Sequence, residues 1–160
     1  MPVHYIDAIT ARYEKLGYQP YRWVYAEETP ELSPMTKPLS EARIGVVTTS
    51  GAYALGQTAF HYKDDTSVRA ISKATAKEDI RFSHITENYL EDPRQDPDCI
   101  LPLTALRRLE SEGFVGEVAD DTFSCMGGIY SQRRVREELI PELAARLEAQ
   151  SVDAVFLIPM

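Results

Sequence analysis

Apolar residues recur with helical spacing in three segments of the chain. In residues 4–16 the apolar positions fall three or four residues apart and Gly17 follows, which predicts a helix with a glycine after its end. A second helix is predicted to begin at Pro102, and a third covers residues 132–149. Pro141 lies inside the third pattern, so we expect a kink or a break there. The positions that share one side are Tyr5, Ile9, Tyr13 and Leu16, then Leu103, Leu106 and Leu109, then Val135, Leu139, Leu143 and Leu147.

Continuous apolar runs predict strands between these helices. The first strand is expected within residues 42–53, where Ile44, Val46 and Val47 form a buried run before Gly51. Strands alternating with helices through short connections predict an α/β fold with a partly parallel, Rossmann-like sheet and flanking helices. The other predicted strands are a short one at 99–101, one or two within 114–128, and a last one at 152–158 whose run 155–158 is expected to be fully buried.

Two segments lack a regular period. Residues 18–40 combine four prolines with Trp23 and several tyrosines, which predicts an irregular arm that packs its aromatic side chains onto a surface. Residues 54–98 contain turn formers and weak periodicity, so we expect a long, partly ordered excursion. We therefore expect a single α/β domain over 1–160. Its N-terminal helix and arm occupy 1–40, and its sheet–helix core, an incomplete doubly wound domain, occupies 41–160.

Composition narrows the classes of partner. The 160 residues are 44% hydrophobic and 26% charged, with a net charge of −8. A phosphate backbone or an anionic lipid surface would repel such a chain, so neither nucleic acid nor a membrane is an expected partner. The sequence shows no apolar run of about 18 residues and no signal-peptide pattern. We therefore expect a cytoplasmic protein.

Candidate chemistry lies where the predicted parallel strands end, because ligands of such sheets bind beyond the carboxyl ends of the strands. Three places qualify, namely Ser50 with Gly51, residues 125–128, and whatever follows Met160. Hydroxyls, a thiol and an imidazole could act on a substrate, and glycines let a backbone amide approach one. The catalytic candidates are His84, Cys125 and Ser50, and the substrate-binding candidates are Thr49, Gly51 and Gly127.

Each candidate also has a structural interpretation, which the residues alone leave open. The segment "TTSGAYALG" is also typical of a plain turn, His84 of a hydrogen-bonded structural histidine, and Cys125 of a buried thiol. We expect Cys99 in "DCILPL" to be buried among its apolar neighbours. The two cysteines lie 26 positions apart without metal-ligand spacing, so neither a disulfide nor a metal site is expected.

Five stretches, taken in order, resemble one family over nearly the whole chain. They are "YEKLGYQPYRW", "TKPLSEARIGVVTTSGAY", "RFSHI", "ILPLTALRRLESEGFVGEVADDTFSCMG" and "PELAARLEAQSVDAVFLIPM". As a set they resemble the selenoprotein B family of glycine, sarcosine, betaine and D-proline reductases.

The resemblance implies an oxidoreductase of amino acid metabolism that cleaves a carbon–nitrogen bond reductively. The family implies a small amine substrate, other reductase subunits, a pyruvoyl group on a partner subunit in some members, and a thioredoxin-type thiol reductant. The chain would hold no cofactor of its own. Such chemistry needs a nucleophile that is ionised at neutral pH, together with a second thiol that recycles it.

In the family, a redox selenocysteine or cysteine follows the strand that matches "VDAVFLIPM". We therefore expect that residue just after Met160, with translation or gene annotation stopped at a UGA codon meant for selenocysteine. The alternative is a naturally short relative without the redox residue. A second hypothesis is a non-catalytic regulatory or subunit-binding module of the same fold, which self-associates or binds a sibling subunit. A third is a small-molecule-binding domain that uses "TTSGAY" as its loop.

Overall fold

The chain divides into two units in the computed structural model, which describes residues 4–20, 24–25, 27–31 and 33–160. The units are Met1–Pro34 and Met35–Met160. The predicted arm over 18–40 lies partly outside the described residues, at 21–23, 26 and 32. The arm, the boundary at residue 40 and the single domain over 1–160 therefore stay predictions.

The first unit contains one helix, α1, in its described residues. It spans Tyr5–Lys15 and buries none of its residues. The chain leaves the helix through Gly17, whose φ is +82° and whose amide donates to the Glu14 carbonyl oxygen at 3.0 Å. The predicted helix over 4–16, with its glycine stop, is confirmed.

A mixed sheet forms the centre of the second unit. Its central strand β1 runs parallel to β5 and β6 on one side and to β7 on the other. The strand β3 extends the sheet antiparallel to β6, while β2 and β4 form a separate antiparallel pair. The strands are β1 Arg43–Thr48, β2 Ala52–Ala54, β3 Arg69–Ser72, β4 Ile80–Phe82, β5 Glu117–Val118, β6 Asp121–Ser124 and β7 Ala154–Ile158.

Helices cover both faces of this sheet. On one face, Leu106 of α3 joins Ile44 and Val46 in a buried cluster. On the other face lies α5, because a Cβ built on Gly45 would be 2.8 Å from Leu147 Cδ2 and successive strand residues face opposite sides. No helix among the described residues has the length and apolarity to cross a membrane. The helices are α2 Glu91–Gln95, α3 Leu103–Ser111, α4 Gln132–Arg134 and α5 Ile140–Ala149.

The predicted α/β class with a partly parallel sheet is confirmed, whereas Rossmann-like connectivity stays a prediction. The predicted helix over 132–149 is present, and its irregularity is a π-helical turn at Val135–Leu139 that joins α4 to α5. Pro141 follows that turn. Proline lacks an amide hydrogen and crowds the preceding turn of a helix, which accounts for the wider turn there.

The excursion over 54–98 contains more order than its sequence predicts. It holds the last residue of β2 together with β3, β4 and α2. Each of these short strands buries only one or two residues, so their alternation is too brief to be recognised. Their side chains form a second core cluster with Leu90, Leu101 and Leu103.

Two predictions of burial are wrong. Cys99 is exposed, because residues Pro97–Cys99 form a 3₁₀ turn that the Asp96 carboxylate caps by accepting from the Asp98 amide. No strand forms at 99–101. In β7, the side chains of Val155, Phe156 and Leu157 are 38%, 47% and 66% exposed. An apolar run is buried only where other elements cover it, and β7 pairs with β1 alone among the described strands.

Gly51 permits the turn that follows β1. Its φ is +65°, and a Cβ built on it would lie 2.2 Å from the Ser83 carbonyl oxygen. Gly56 is a matched control, since its φ is +93° and nothing lies within 4 Å of its built Cβ.

We predict that Gly56→Ala destabilises the protein by about 1–2 kcal/mol, the cost of left-handed backbone in a non-glycine residue. Gly51→Ala should cost about 1–3 kcal/mol more, because the added methyl group also overpacks the turn. Urea unfolding of both variants measures the difference. Equal losses would show that Ser83 does not confine Gly51.

Candidate functional site

The carboxyl ends of β1, β6 and β7 lie side by side. Thr48 pairs in register with Ser124 and with Ile158. The Cys125 amide donates to the Thr48 carbonyl oxygen at 3.0 Å. We call residues 48–51, 125–128 and 158–160, together with His84, the strand-end site. The structure thus brings together the strand ends at which the sequence predicts ligand chemistry.

Thr49 connects the ends of β1 and β7. Its amide donates to the Ile158 carbonyl oxygen at 3.1 Å, and its hydroxyl oxygen accepts from the Met160 amide at 2.8 Å. The predicted substrate-binding hydroxyl of Thr49 is therefore engaged by the chain itself.

Ser50 and Gly51 connect the ends of β1 and β6. Ser50 is fully buried, and its hydroxyl oxygen accepts from the Thr48 hydroxyl at 2.9 Å. The Gly51 amide donates to the Cys125 carbonyl oxygen at 3.0 Å. Both predicted site residues thus lie in the strand-end site and have protein partners there.

His84 enters the strand-end site from the segment after β4. Its side chain is buried at 4% exposure. Nδ1 lies 2.6 Å from the Thr86 hydroxyl oxygen and 3.1 Å from the Thr86 amide nitrogen. Nε2 lies 3.2 Å from the Gly127 amide nitrogen. Burial lowers the pKa of His84 below its ordinary value, although the Glu87 carboxylate and a hydrogen bond to the Thr49 backbone act in the opposite direction.

Gly127 lies where three parts of the strand-end site meet. A Cβ built on it would lie 2.9 Å from the Thr49 carbonyl oxygen and 3.0 Å from both His84 Nε2 and the Met160 carbonyl oxygen. No side chain fits there unless a neighbour moves. Gly127 therefore lies beside the ends of β1 and β7 and beside the His84 ring.

The two cysteine side chains lie in opposite environments. Cys125 is 2% exposed, and burial raises the pKa of its thiol to about 11. Cys99 is exposed. The pKa of its thiol is nevertheless raised, first by the partial loss of water around the sulfur and then by the negative charges of Asp96 and Asp92. At neutral pH both are thiols rather than thiolates, which is unfavourable for a nucleophile.

Sequence reasoning missed the polar partners of this site. Thr86 holds the imidazole of His84 from two positions further along the chain, so a hydroxyl residue close after a histidine could have indicated it. Two other buried hydroxyls, Thr122 Oγ1 and Ser124 Oγ, have no hydrogen-bond partner. Within the described ranges, no three side chains of His, Cys, Asp or Glu converge as metal ligands.

A partly parallel α/β sheet whose strand ends meet at one edge defines the class of protein, and comparison with known proteins supplies the family. Residues 24–159 match the family described as glycine/sarcosine/betaine reductase selenoprotein B. The chain belongs to this family, which confirms the resemblance seen in its motifs.

Named relatives are subunits of two reductases. The chain is 31% identical over 141 residues to the D-proline reductase subunit gamma of Acetoanaerobium sticklandii, covering 88% of this chain and 58% of the relative. It is 28% identical over 158 residues to the glycine reductase complex component B subunit gamma of Symbiobacterium thermophilum, covering 94% and 36%. The same subunit of Carboxydothermus hydrogenoformans is 30% identical over 134 residues, covering 78% and 29%.

The chain therefore spans between 29% and 58% of the length of these relatives. No solved structure is significantly similar to it.

Protonation of His84 should destabilise the fold. Its folded-state pKa is lowered, so as the pH falls the unfolded chain binds the proton first, near the ordinary histidine value of about 6.5. The stability that neutral His84 contributes is complete above that pH and is lost as the pH falls toward the folded-state pKa.

We predict that the urea midpoint of the wild type falls more between about pH 7.5 and about pH 5.5 than that of His84→Gln, which cannot titrate there. Parallel decreases in the two proteins would contradict a lowered pKa for His84.

Thiol labelling should separate the two cysteines. At about pH 7.5, a pKa of about 11 gives Cys125 a thiolate fraction roughly 300-fold below that of an ordinary thiol, before its burial is counted. We expect iodoacetamide to modify Cys99 alone in the folded chain and both cysteines in urea, as measured by peptide mass spectrometry. Rapid labelling of Cys125 in the folded chain would show that this thiol is accessible.

Proposed function

We propose that this chain is a component of a cytoplasmic reductase that cleaves a carbon–nitrogen bond in a small amine, of the glycine, sarcosine, betaine or D-proline type. The observation that carries the proposal is the convergence of three strand ends with His84 in a chain of this family. Parallel sheets place their ligands at that edge. Sarcosine, betaine and the relatives' substrates are candidates of one chemical class, since each carries an amine or ammonium nitrogen on the carbon next to a carboxylate.

The proposed reaction balances with two thiols as the reductant. The bond between the α-carbon and nitrogen breaks, a C–H and an N–H bond form, and the two thiols become a disulfide. They supply both electrons and both protons. A selenolate or thiolate supplies the nucleophile at the α-carbon in this chemistry, and partner subunits would hold the substrate, in some cases on a pyruvoyl group.

We propose that neither Cys99 nor Cys125 is that nucleophile. Cys125 is buried with a raised thiol pKa, and the exposed Cys99 also has a raised pKa. Nucleophilic cysteines have lowered values instead. The 160 residues alone should therefore not reduce an amine, even with a dithiol present.

The strand-end site would then line the active centre and position the reacting groups, without supplying the nucleophile itself. Its backbone groups are already paired by Thr49, Gly51 and Gly127, and such preorganised shells hold a reacting residue or substrate in place. A thioredoxin-type protein would supply the thiols.

A subunit-binding module is the second candidate function. The apolar side chains of Val155, Phe156 and Leu157 are exposed on β7, and exposed apolar groups of this size are typical of surfaces that bind another protein. The relatives are themselves named as subunits. Other reductase subunits or a second copy of this chain are the proposed partners.

A fusion protein tests both candidates. The 160 residues replace the matching part of the Acetoanaerobium sticklandii gamma subunit and are produced with that enzyme's partner subunits. We expect the assembled fusion to convert D-proline with dithiothreitol to the ring-opened amino acid, measured by chromatography. A fusion without residues 35–160 is the control and should be inactive.

Assembly without turnover would contradict the catalytic proposal and favour the binding module. Failure to assemble, with the chain correctly folded, would contradict both. Turnover by the 160 residues alone would show that a cysteine of this chain does the chemistry.

A further inference from the structure

The imidazole of His84 lies between groups that compete for its two nitrogens. Nε2 has the Gly127 amide nitrogen at 3.2 Å, and Nδ1 has the Thr86 amide nitrogen at 3.1 Å; both amides can only donate. Nδ1 also has the Thr86 hydroxyl at 2.6 Å, which can donate or accept. A ring nitrogen either carries a proton and donates or lacks one and accepts, and a neutral imidazole has one of each, so the neutral ring can accept from one of the two amides at a time.

Two neutral tautomers follow from these contacts. In the first, Nδ1–H donates to the Thr86 hydroxyl oxygen and Nε2 accepts from the Gly127 amide, while the Thr86 amide loses its acceptor. In the second, Nδ1 accepts from the hydroxyl and the amide of Thr86, and the proton on Nε2 leaves the Gly127 amide without its acceptor. The imidazolium carries a proton on both nitrogens, so both amides lose their acceptor.

Gly127 is poorly able to move independently. The built Cβ position at Gly127 is within about 3 Å of the Thr49 and Met160 carbonyl oxygens and of His84 Nε2. A Cβ on Gly128 would lie 2.2 Å from Ile85 Cγ2. A change in the hydrogen bond at Nε2 is therefore transmitted to the glycine pair and to the end of β7.

We infer that His84 is a positioning residue: its Nε2 accepts from the Gly127 amide in one neutral tautomer and releases it in the other tautomer and in the imidazolium, and so sets the place of the glycine pair beside the end of β7. The hydrogen-bond exchange stands on the geometry of this chain alone. Its bearing on catalysis rests on the proposed function, in which the strand-end site holds the reacting groups.

The charged surroundings of His84 are simple. Glu87 is the charged side chain that acts on the imidazole, and its carboxylate is paired with Arg94 at 2.5 Å. The groups that contact the ring nitrogens are uncharged, namely the hydroxyl and the amide of Thr86 and the amide of Gly127. Repeating the titration with further residues attached after Met160 separates any contribution of a carboxylate at that position.

Nuclear magnetic resonance of the 160-residue chain tests the inference without any reductase activity. Long-range ¹⁵N spectra give the tautomer and ionisation of His84, and amide spectra follow Gly127. We expect the Gly127 amide shift to titrate with the same midpoint as the His84 ring. Its hydrogen-exchange protection should fall about fivefold when the imidazole is protonated, as for one lost hydrogen bond.

Two variants of His84 make a matched pair. The side-chain oxygen of Gln can reach the position of Nε2, whereas that of Asn reaches only the position of Nδ1. His84→Gln should keep the protection of the Gly127 amide at all pH values, and His84→Asn should lose it by about fivefold. If the Asn variant does not fold, the wild-type titration decides.

The inference would be overturned if the amide shift and exchange protection of Gly127 did not change when His84 is protonated. It would also be overturned if His84→Gln and His84→Asn changed the protection of the Gly127 amide by the same amount. Failure of the fusion enzyme to turn over, with the titration as expected, would overturn the proposed function and leave this inference standing.

Discussion

The parallel pairing of β7 with β1 is the constraint on which the strand-end site depends. Five register pairs, from Ile44 with Ala154 to Thr48 with Ile158, align the two strands in one direction. Parallel strands end at the same edge of a sheet, so the pairing delivers Met160 to Thr49 and Gly127. Gly45 of β1 supports this pairing. Because it has no side chain, Leu147 and Val152 pack directly against β1 on the face of the sheet that α5 covers.

Dense hydrogen bonding gives the site its character. Backbone amides, hydroxyls and an imidazole meet where the sheet ends, and most of them bind each other rather than solvent. Buried polar groups are costly unless they are paired, so each pairing fixes the next. This explains how a histidine from the excursion after β4 controls a glycine that is 43 positions away in sequence.

The sequence predicted what local periodicity encodes. The helices, the β1 run and the position of candidate loops at strand ends follow from apolar spacing and from glycines, as with Ile44, Val46 and Gly51. It did not predict β2, β3 and β4, whose three or four residues are too few to show alternation. It also misjudged Cys99 and Phe156, since exposure depends on which elements cover a segment, and local sequence does not contain that information.

The contact between His84 and Gly127 was equally beyond local sequence, because it exists only after the sheet forms. Membership of the selenoprotein B family gives the strand-end site its chemical context. The geometry in turn identifies His84 and Gly127 as residues of this family member whose roles can be tested by substitution and titration.

The meeting of three strand ends is tested most directly by nuclear Overhauser contacts in the folded, isotopically labelled chain. We predict contacts from the Met160 amide proton to the Thr49 side chain, and from the Gly127 α-protons to the His84 ring. A Met160 amide with contacts only to its own neighbours in sequence, or a His84 ring remote from Gly127, would contradict this arrangement.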